Sequence, residues 1–212
     1  MTEHIQKIKT SFRDRQFLFS LGVAFIFLFI SLVINFYAGT YANARASSAV
    51  TDIILSNIRV FDVDGIFTYG PIIFFFFLII IFFFHPNRIP FSLKSVALFV
   101  VVRSIFITLT HIGPFPTISI VEPGSLMSKF TFGGDLFFSG HTGLPFLMSL
   151  IFWEKKILRY LFLATSILFG VIVLMGHLHY SIDVLGAFFI TYTIFCMSEF
   201  FFKKDQQIFL SE

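Results

Sequence analysis

Two polar segments hold the side chains best suited to chemistry in this chain. The first is Gly134-Asp135-Leu136-Phe137-Phe138-Ser139-Gly140-His141-Thr142; the second is His177-Leu178-His179-Tyr180-Ser181-Ile182-Asp183-Val184. Each sits at the edge of a long apolar run, where ionisable groups are costly unless satisfied or used. A Ser-Gly-His followed by a His-x-x-x-Asp suits phosphoryl transfer through histidine: one imidazole attacks phosphorus, its Asp orients it, and the second imidazole moves the proton. His179 and Asp183 are four residues apart, so on a helix they share a face. An Asp accepting from one ring nitrogen fixes the tautomer and leaves the other free to attack. The plainer reading of this pair is a cap on the last apolar run. Ser139-Gly140-His141 opens another run. Unpaired amides at a helix start bind anions, Gly140 lets backbone approach a ligand closely, Ser139 adds a hydroxyl and His141 can protonate a leaving alkoxide. Simple capping by Ser139 or Thr142 is the plainer alternative.

These segments must be held by apolar helices. The chain has 212 residues, 57% of them hydrophobic, 13% charged and 35 of them Phe. A water-soluble domain of this length could not hide so much apolar surface. Six runs approach the roughly 20 residues needed to cross a bilayer: about 17–37, 66–84, 92–110, 136–153, 157–175 and 180–202. The expected architecture is all-α, a polytopic membrane bundle of six transmembrane helices forming a single domain over 1–212, with a catalytic core at about 95–195. The first run is too long for a signal h-region despite Ala42-Asn43-Ala44, so it reads as an uncleaved anchor.

Eleven Lys and Arg residues fall on the side of the N-terminus, the loops after runs two and four, and the tail; three, Arg45, Arg59 and Lys129, fall on the other. The positive-inside rule then places both termini in the cytoplasm and His141, His179 and Asp183 on the extracytoplasmic or lumenal side. Arg103 lies within the third run, about two turns from its outer end. It either contacts a phosphate, which its planar guanidinium suits, or snorkels to the outer interface or pairs with Asp135. Val50, Ile53, Ile54 and Ile58 are spaced as on a short amphipathic helix lying in the interface. The Pro- and Gly-rich stretch 111–135 reads as an irregular outer loop that includes His111 and Glu122.

Other polar features point elsewhere more weakly. His177-Leu178-His179 lacks the Cys or clustered carboxylates of a metal site, so neither metal nor cofactor is expected. Asp62-Val63-Asp64 reads as a solvated loop. His4 and His85 fall on the cytoplasmic side without a role. Cys196, the single cysteine, rules out an internal disulfide and reads as a small packing residue. The net charge of +3 sits beside the membrane runs and does not point to nucleic acid.

The two polar segments closely resemble the catalytic motifs of the sphingomyelin synthase family, within the superfamily related to type-2 phosphatidic acid phosphatases. The similarity covers about 95–195 and thins to Thr51-Asp52-Ile53-Ile54-Leu55, loosely similar to the family's motif after its first span but without the neighbouring prolines. The resemblance implies six helices, an outward-facing site and a phosphohistidine intermediate, with His179 as nucleophile, Asp183 as its partner and His141 as the second histidine. Arg103, Asp135, Ser139 and Gly140 are expected to hold substrate. The ordinary phosphatases carry Ser-Arg where this chain has Ile172 and Val173, and Pro where Ser104 follows Arg103. Fewer cations suit a phosphodiester, which bears one charge less than a terminal phosphate. The resemblance thus implies a phospholipid donor and a lipid-alcohol acceptor among membrane lipids. Transfer of phosphocholine or phosphoethanolamine is favoured over release of phosphate to water, and a homo-oligomer is compatible with the chain.

Overall fold

The computed structural model describes residues 12–117 and 136–210. Their regular structure is helical: α1 (Arg15–Arg45), α2 (Asp64–Phe84), a 3₁₀ turn (Pro86–Arg88), α3 (Ile89–Leu109), α4 (Gly140–Ile151), α5 (Lys156–Met175), α6 (Ser181–Phe201) and α7 (Lys203–Leu210). Five of these, with the 3₁₀ turn continuing into α3, are long and apolar enough to cross a membrane. The expected fourth span is a helix of only 12 residues, rising about 18 Å against the roughly 30 Å of hydrocarbon. Residues 136–139 before it are not helical and form the bend of the first polar segment.

Large apolar side chains point outward along these helices. Phe19, Phe29, Phe76, Phe83, Phe189 and Phe200 are all well exposed, a surface that water would not tolerate at this extent and lipid does. Inside, the Phe rings interlock edge to face. Phe162 meets Phe74 at 5.8 Å and Phe152 at 5.6 Å, and Phe209 meets Phe152 at 5.5 Å and Phe91 at 5.8 Å.

Helix α1 runs along α3. Asp14 caps it by accepting from the Gln16 amide at 2.9 Å. Its buried residues are mostly small: Ser20, Ala24, Ser31, Ala38, Gly39 and Ala42, and small side chains let two apolar helices approach where no hydrophobic force drives them together. Helices α4, α5 and α6 pack by the same means. A Cβ on Gly143 of α4 would stand 2.8 Å from the Phe99 ring of α3 and 2.9 Å from Thr191 Oγ1 of α6, and one on Gly170 of α5 would stand 3.1 Å from Val184.

The two ends of the bundle differ. At one end, Lys94 Nζ lies 2.6 Å from Asp205 Oδ2 of α7 and 2.9 Å from Ser20 Oγ of α1, and the Ser20 hydroxyl donates to Asp205. Arg88 lies over the rings of Phe152 and Phe209 at 5.3 and 5.0 Å. Helix α7 is absent from the sequence expectation, since its polar composition hides that Asp205 and Phe209 turn inward. At the other end, the segments 46–63 and 110–117 lie over the starts of α4 and α6. The Ser47 amide donates to the His111 carbonyl at 2.8 Å and the Gly113 amide to the Ser48 carbonyl at 3.2 Å. No side chain larger than hydrogen fits at Gly113, because a Cβ would overlap the Ser47 carbonyl.

Two expectations are corrected here. The interfacial helix over 48–60 is not formed: residues 53–57 make turns only. Asp52 Oδ1 captures the Ile54 and Leu55 amides at 2.8 and 3.1 Å, Leu55 is buried against Leu136 and Tyr180, and the chain closes on itself instead of extending. Cys196 is exposed on α6 and is not a packing residue of the interior.

Candidate active site

The two polar segments meet at the end of the bundle covered by residues 46–63 and 110–117. After α5 the chain reverses at Gly176, and the Leu178 amide donates to the Val173 carbonyl at 2.8 Å. His177 takes a left-handed conformation, φ 54°, to make this reversal. Phe138, just before Ser139, has φ 29°. These are the two non-glycine residues with positive φ among the described residues, and each lies within one of the polar segments. Such backbone costs about 1–3 kcal/mol per residue and persists where the surroundings over-determine it.

His179 and Asp183 are both buried. His179 Nδ1 lies 3.2 Å from Asp183 Oδ2 and 3.2 Å from the Leu136 carbonyl oxygen. Both neighbours are acceptors and a carbonyl can only accept, so the proton sits on Nδ1 and the lone pair on Nε2. Asp183 Oδ2 also accepts from the Tyr180 amide at 3.0 Å. The carboxylate therefore caps α6 and orients the imidazole at once; the two readings of the pair are not alternatives.

Ser139 is the N-cap of α4, fully buried, with its hydroxyl 3.4 Å from the Thr142 amide. Its own amide donates to the Asp183 backbone carbonyl at 3.1 Å, which joins the two segments directly. His141 follows in the first turn. Its ring stacks on Phe67 of α2 with centroids 4.4 Å apart and a 24° tilt, and meets Phe169 of α5 edge-on at 6.3 Å. Among the described residues, its buried Nε2 has no hydrogen-bond partner. His141 lies near both His179 and Arg103.

Arg103 Nε donates to the Phe138 carbonyl at 3.3 Å. A Cβ on Gly140 would stand 3.4 Å from the same nitrogen, an ordinary van der Waals distance, so the guanidinium lies against the start of α4. Asp135, with Glu122 and Lys129, lies outside the described residues. His111 packs on Tyr41 at 5.5 Å and lends its carbonyl to the loop pairing. His177 Nδ1 lies 2.6 Å from Thr117 Oγ1. Among the described residues, no group of three or more His, Cys, Asp or Glu side chains could hold a metal ion.

Three sets of contacts escape a reading of the sequence. Phe67 supports His141 from a helix 74 residues away, and an apolar run offers no signal for which Phe does so. The Tyr180 hydroxyl donates to the Gly113 carbonyl at 2.8 Å and accepts from the Val50 amide at 3.2 Å. Asp52 Oδ2 accepts from both the amide and the hydroxyl of Ser181, each at 2.7 Å.

Residues 133–200 match the family model PAP2 superfamily C-terminal. The matched segment is about a third of the chain and contains Ser139, His141, His179 and Asp183. Over that segment the chain is similar to the PAP2 superfamily. No curated protein and no solved structure is matched.

Proposed function

We propose that this protein is a membrane-embedded lipid phosphotransferase of the sphingomyelin synthase-like kind. The observation that carries the proposal is the buried His179–Asp183 pair, tied through the Ser139 amide to the helix start that presents His141. Fixing the Nδ1 proton leaves Nε2 of His179 as the nucleophile. It attacks the phosphorus of a glycerophospholipid; the bond from phosphorus to the glyceride oxygen breaks, and His141 gives that oxygen a proton through Nε2. The headgroup phosphoryl is then held on His179. An incoming lipid alcohol loses its proton to His141 and attacks the phosphorus, which frees His179. Amides at the start of α4, with Arg103, stabilise the negative charge on the phosphoryl oxygens. The short α4 completes a six-span bundle together with the non-helical residues before it.

Purified protein incubated with a phosphatidylcholine or phosphatidylethanolamine carrying labelled phosphate, with and without a ceramide-type acceptor, tests this reading. Label is expected in a new lipid only when acceptor is present, and in an acid-labile, base-stable adduct on His179. Release of label to water regardless of acceptor favours the lipid phosphatase reading.

A further inference from the structure

We propose that Asp52 is a positioning residue for the nucleophile, holding the start of α6 from a loop 129 residues away in sequence. This rests on the reading of His179 as nucleophile. Ser181 is the first residue of α6, two residues after His179 and two before Asp183. A helix start needs acceptors for its free amides, and Tyr180, the residue at the N-cap, supplies no side-chain acceptor there. Asp52 fills that role in trans. Its Oδ2 takes both Ser181 donors while its Oδ1 takes the Ile54 and Leu55 amides of its own turn. A carboxylate so placed also gains from the helix dipole.

The neighbouring residues share the arrangement. His179, Tyr180 and Ser181 are consecutive, and each side chain is held: Leu136 and Asp183 hold His179, Val50 and Gly113 hold Tyr180, and Asp52 holds Ser181. Asp52 is buried and, being outside the long apolar helices, has a carboxyl governed by these contacts. Burial pushes it up, but the four hydrogen bonds from Ser181, Leu55 and Ile54 outweigh burial and hold it below its ordinary value. The carboxylate is thus ionised and fully engaged. Without it the first turn of α6 loses its outer anchor, and the Nδ1 contact of His179 with Asp183 loosens because both residues flank Ser181.

The test compares Asp52→Asn, Asp52→Glu and Ser181→Ala with the wild type. An Asn can keep one oxygen on the Ile54 and Leu55 amides, but its NH₂ cannot accept from Ser181. Two readouts are used. One is kcat and KM for cleavage of labelled phosphatidylcholine. The other, independent of catalysis, is the rate at which diethyl pyrocarbonate modifies His179, read by peptide mass spectrometry. Asp52→Asn is expected to lower kcat by up to about 100-fold, the order expected when catalytic geometry slips by about 1 Å. KM should stay within about twofold, as expected when only transition-state geometry is lost, and His179 should react faster. Ser181→Ala, which keeps the amide bond, should fall between, and Asp52→Glu should recover part of the loss. Unchanged kcat and unchanged His179 reactivity in folded Asp52→Asn overturn the proposal, and so does equal loss in all variants accompanied by a collapse of thermal stability. If the wild type itself neither cleaves donor nor forms an adduct, the proposed function fails. His179 reactivity alone then decides for or against the positioning role.

Discussion

At His179 the decisive detail is which nitrogen carries the proton. The Leu136 carbonyl settles it, since a neutral imidazole facing a carbonyl must donate. Replacing His179 by Ala is expected to abolish both donor cleavage and the covalent adduct; undiminished label in that variant would make another residue the nucleophile. His141→Ala should slow turnover on the order of 10²–10⁴-fold through lost acid–base help. Asp183→Asn should weaken the reaction strongly while the adduct still forms slowly. It should also destabilise the start of α6, because the same carboxylate oxygen caps Tyr180. Asp52 makes a pH-dependent contribution to stability. Its carboxyl sits lower in the folded chain than in the unfolded one, so its contribution is fully present above the ordinary carboxylate value and is lost as pH falls through the depressed folded value. The thermal midpoint of the wild type should therefore exceed that of Asp52→Asn near neutrality, and the gap should shrink on strong acidification. A gap that is constant with pH would mean that the ionised carboxylate is not what stabilises the loop.

Among the elements, α4 is the one on which both the chemistry and the packing converge. It is short, it begins at the polar segment, and Gly143 lets it touch α3 and α6 at once. Gly143→Ala is expected to cost about 1–3 kcal/mol, because the new methyl meets the Phe99 ring and Thr191. Activity should fall with stability, since displacing α4 moves His141. At the opposite end α7 folds back to place Asp205 beside Lys94. Removing one partner of a buried pair strands the other charge, so Asp205→Ala should destabilise by about 3–5 kcal/mol, measured by thermal unfolding in detergent. Joint replacement of Lys94 by Met and Asp205 by Leu should cost less, as neither charge is then left unpaired. Equal losses would show that the pair itself is not what holds α7.

Over the whole molecule the basic residues separate by end. Arg13, Arg15, Arg88, Lys94, Lys155, Lys156, Arg159, Lys203 and Lys204 cluster at the end away from His141 and His179, while Arg45, Arg59 and, beside the candidate site, Arg103 lie at the site end. The proposed orientation puts the site end outside the cytoplasm. With Cys196 replaced by Ser, a Cys at the exposed Ile53 should react with an impermeant thiol probe in intact cells, or in oriented vesicles for an internal membrane. One at the exposed Lys155 should react only after the membrane is opened. The reverse pattern would invert the topology.

The helical bundle was legible in the sequence because long apolar runs in a chain with so few charges can satisfy their backbone only as helices in lipid. The candidate site residues stood out in the sequence for a related reason. His141, His179 and Asp183 are costly at the edge of such runs, which singles them out, and the i, i+4 spacing of His179 and Asp183 is a local property of one helix start. What crosses the sequence was not legible. The Phe67 stack on His141, the Asp52 bond to Ser181 and the inward turn of Asp205 join segments far apart in the chain, and no periodicity encodes which of 35 Phe residues, or which loop Asp, will arrive there. The 48–60 segment shows why local pattern alone falls short: its spacing fits a helix, but a single carboxylate with better partners at Ser181 and in its own turn drew the chain into a cap. Only the tertiary arrangement could decide that, because the competing acceptor and donors come from different elements.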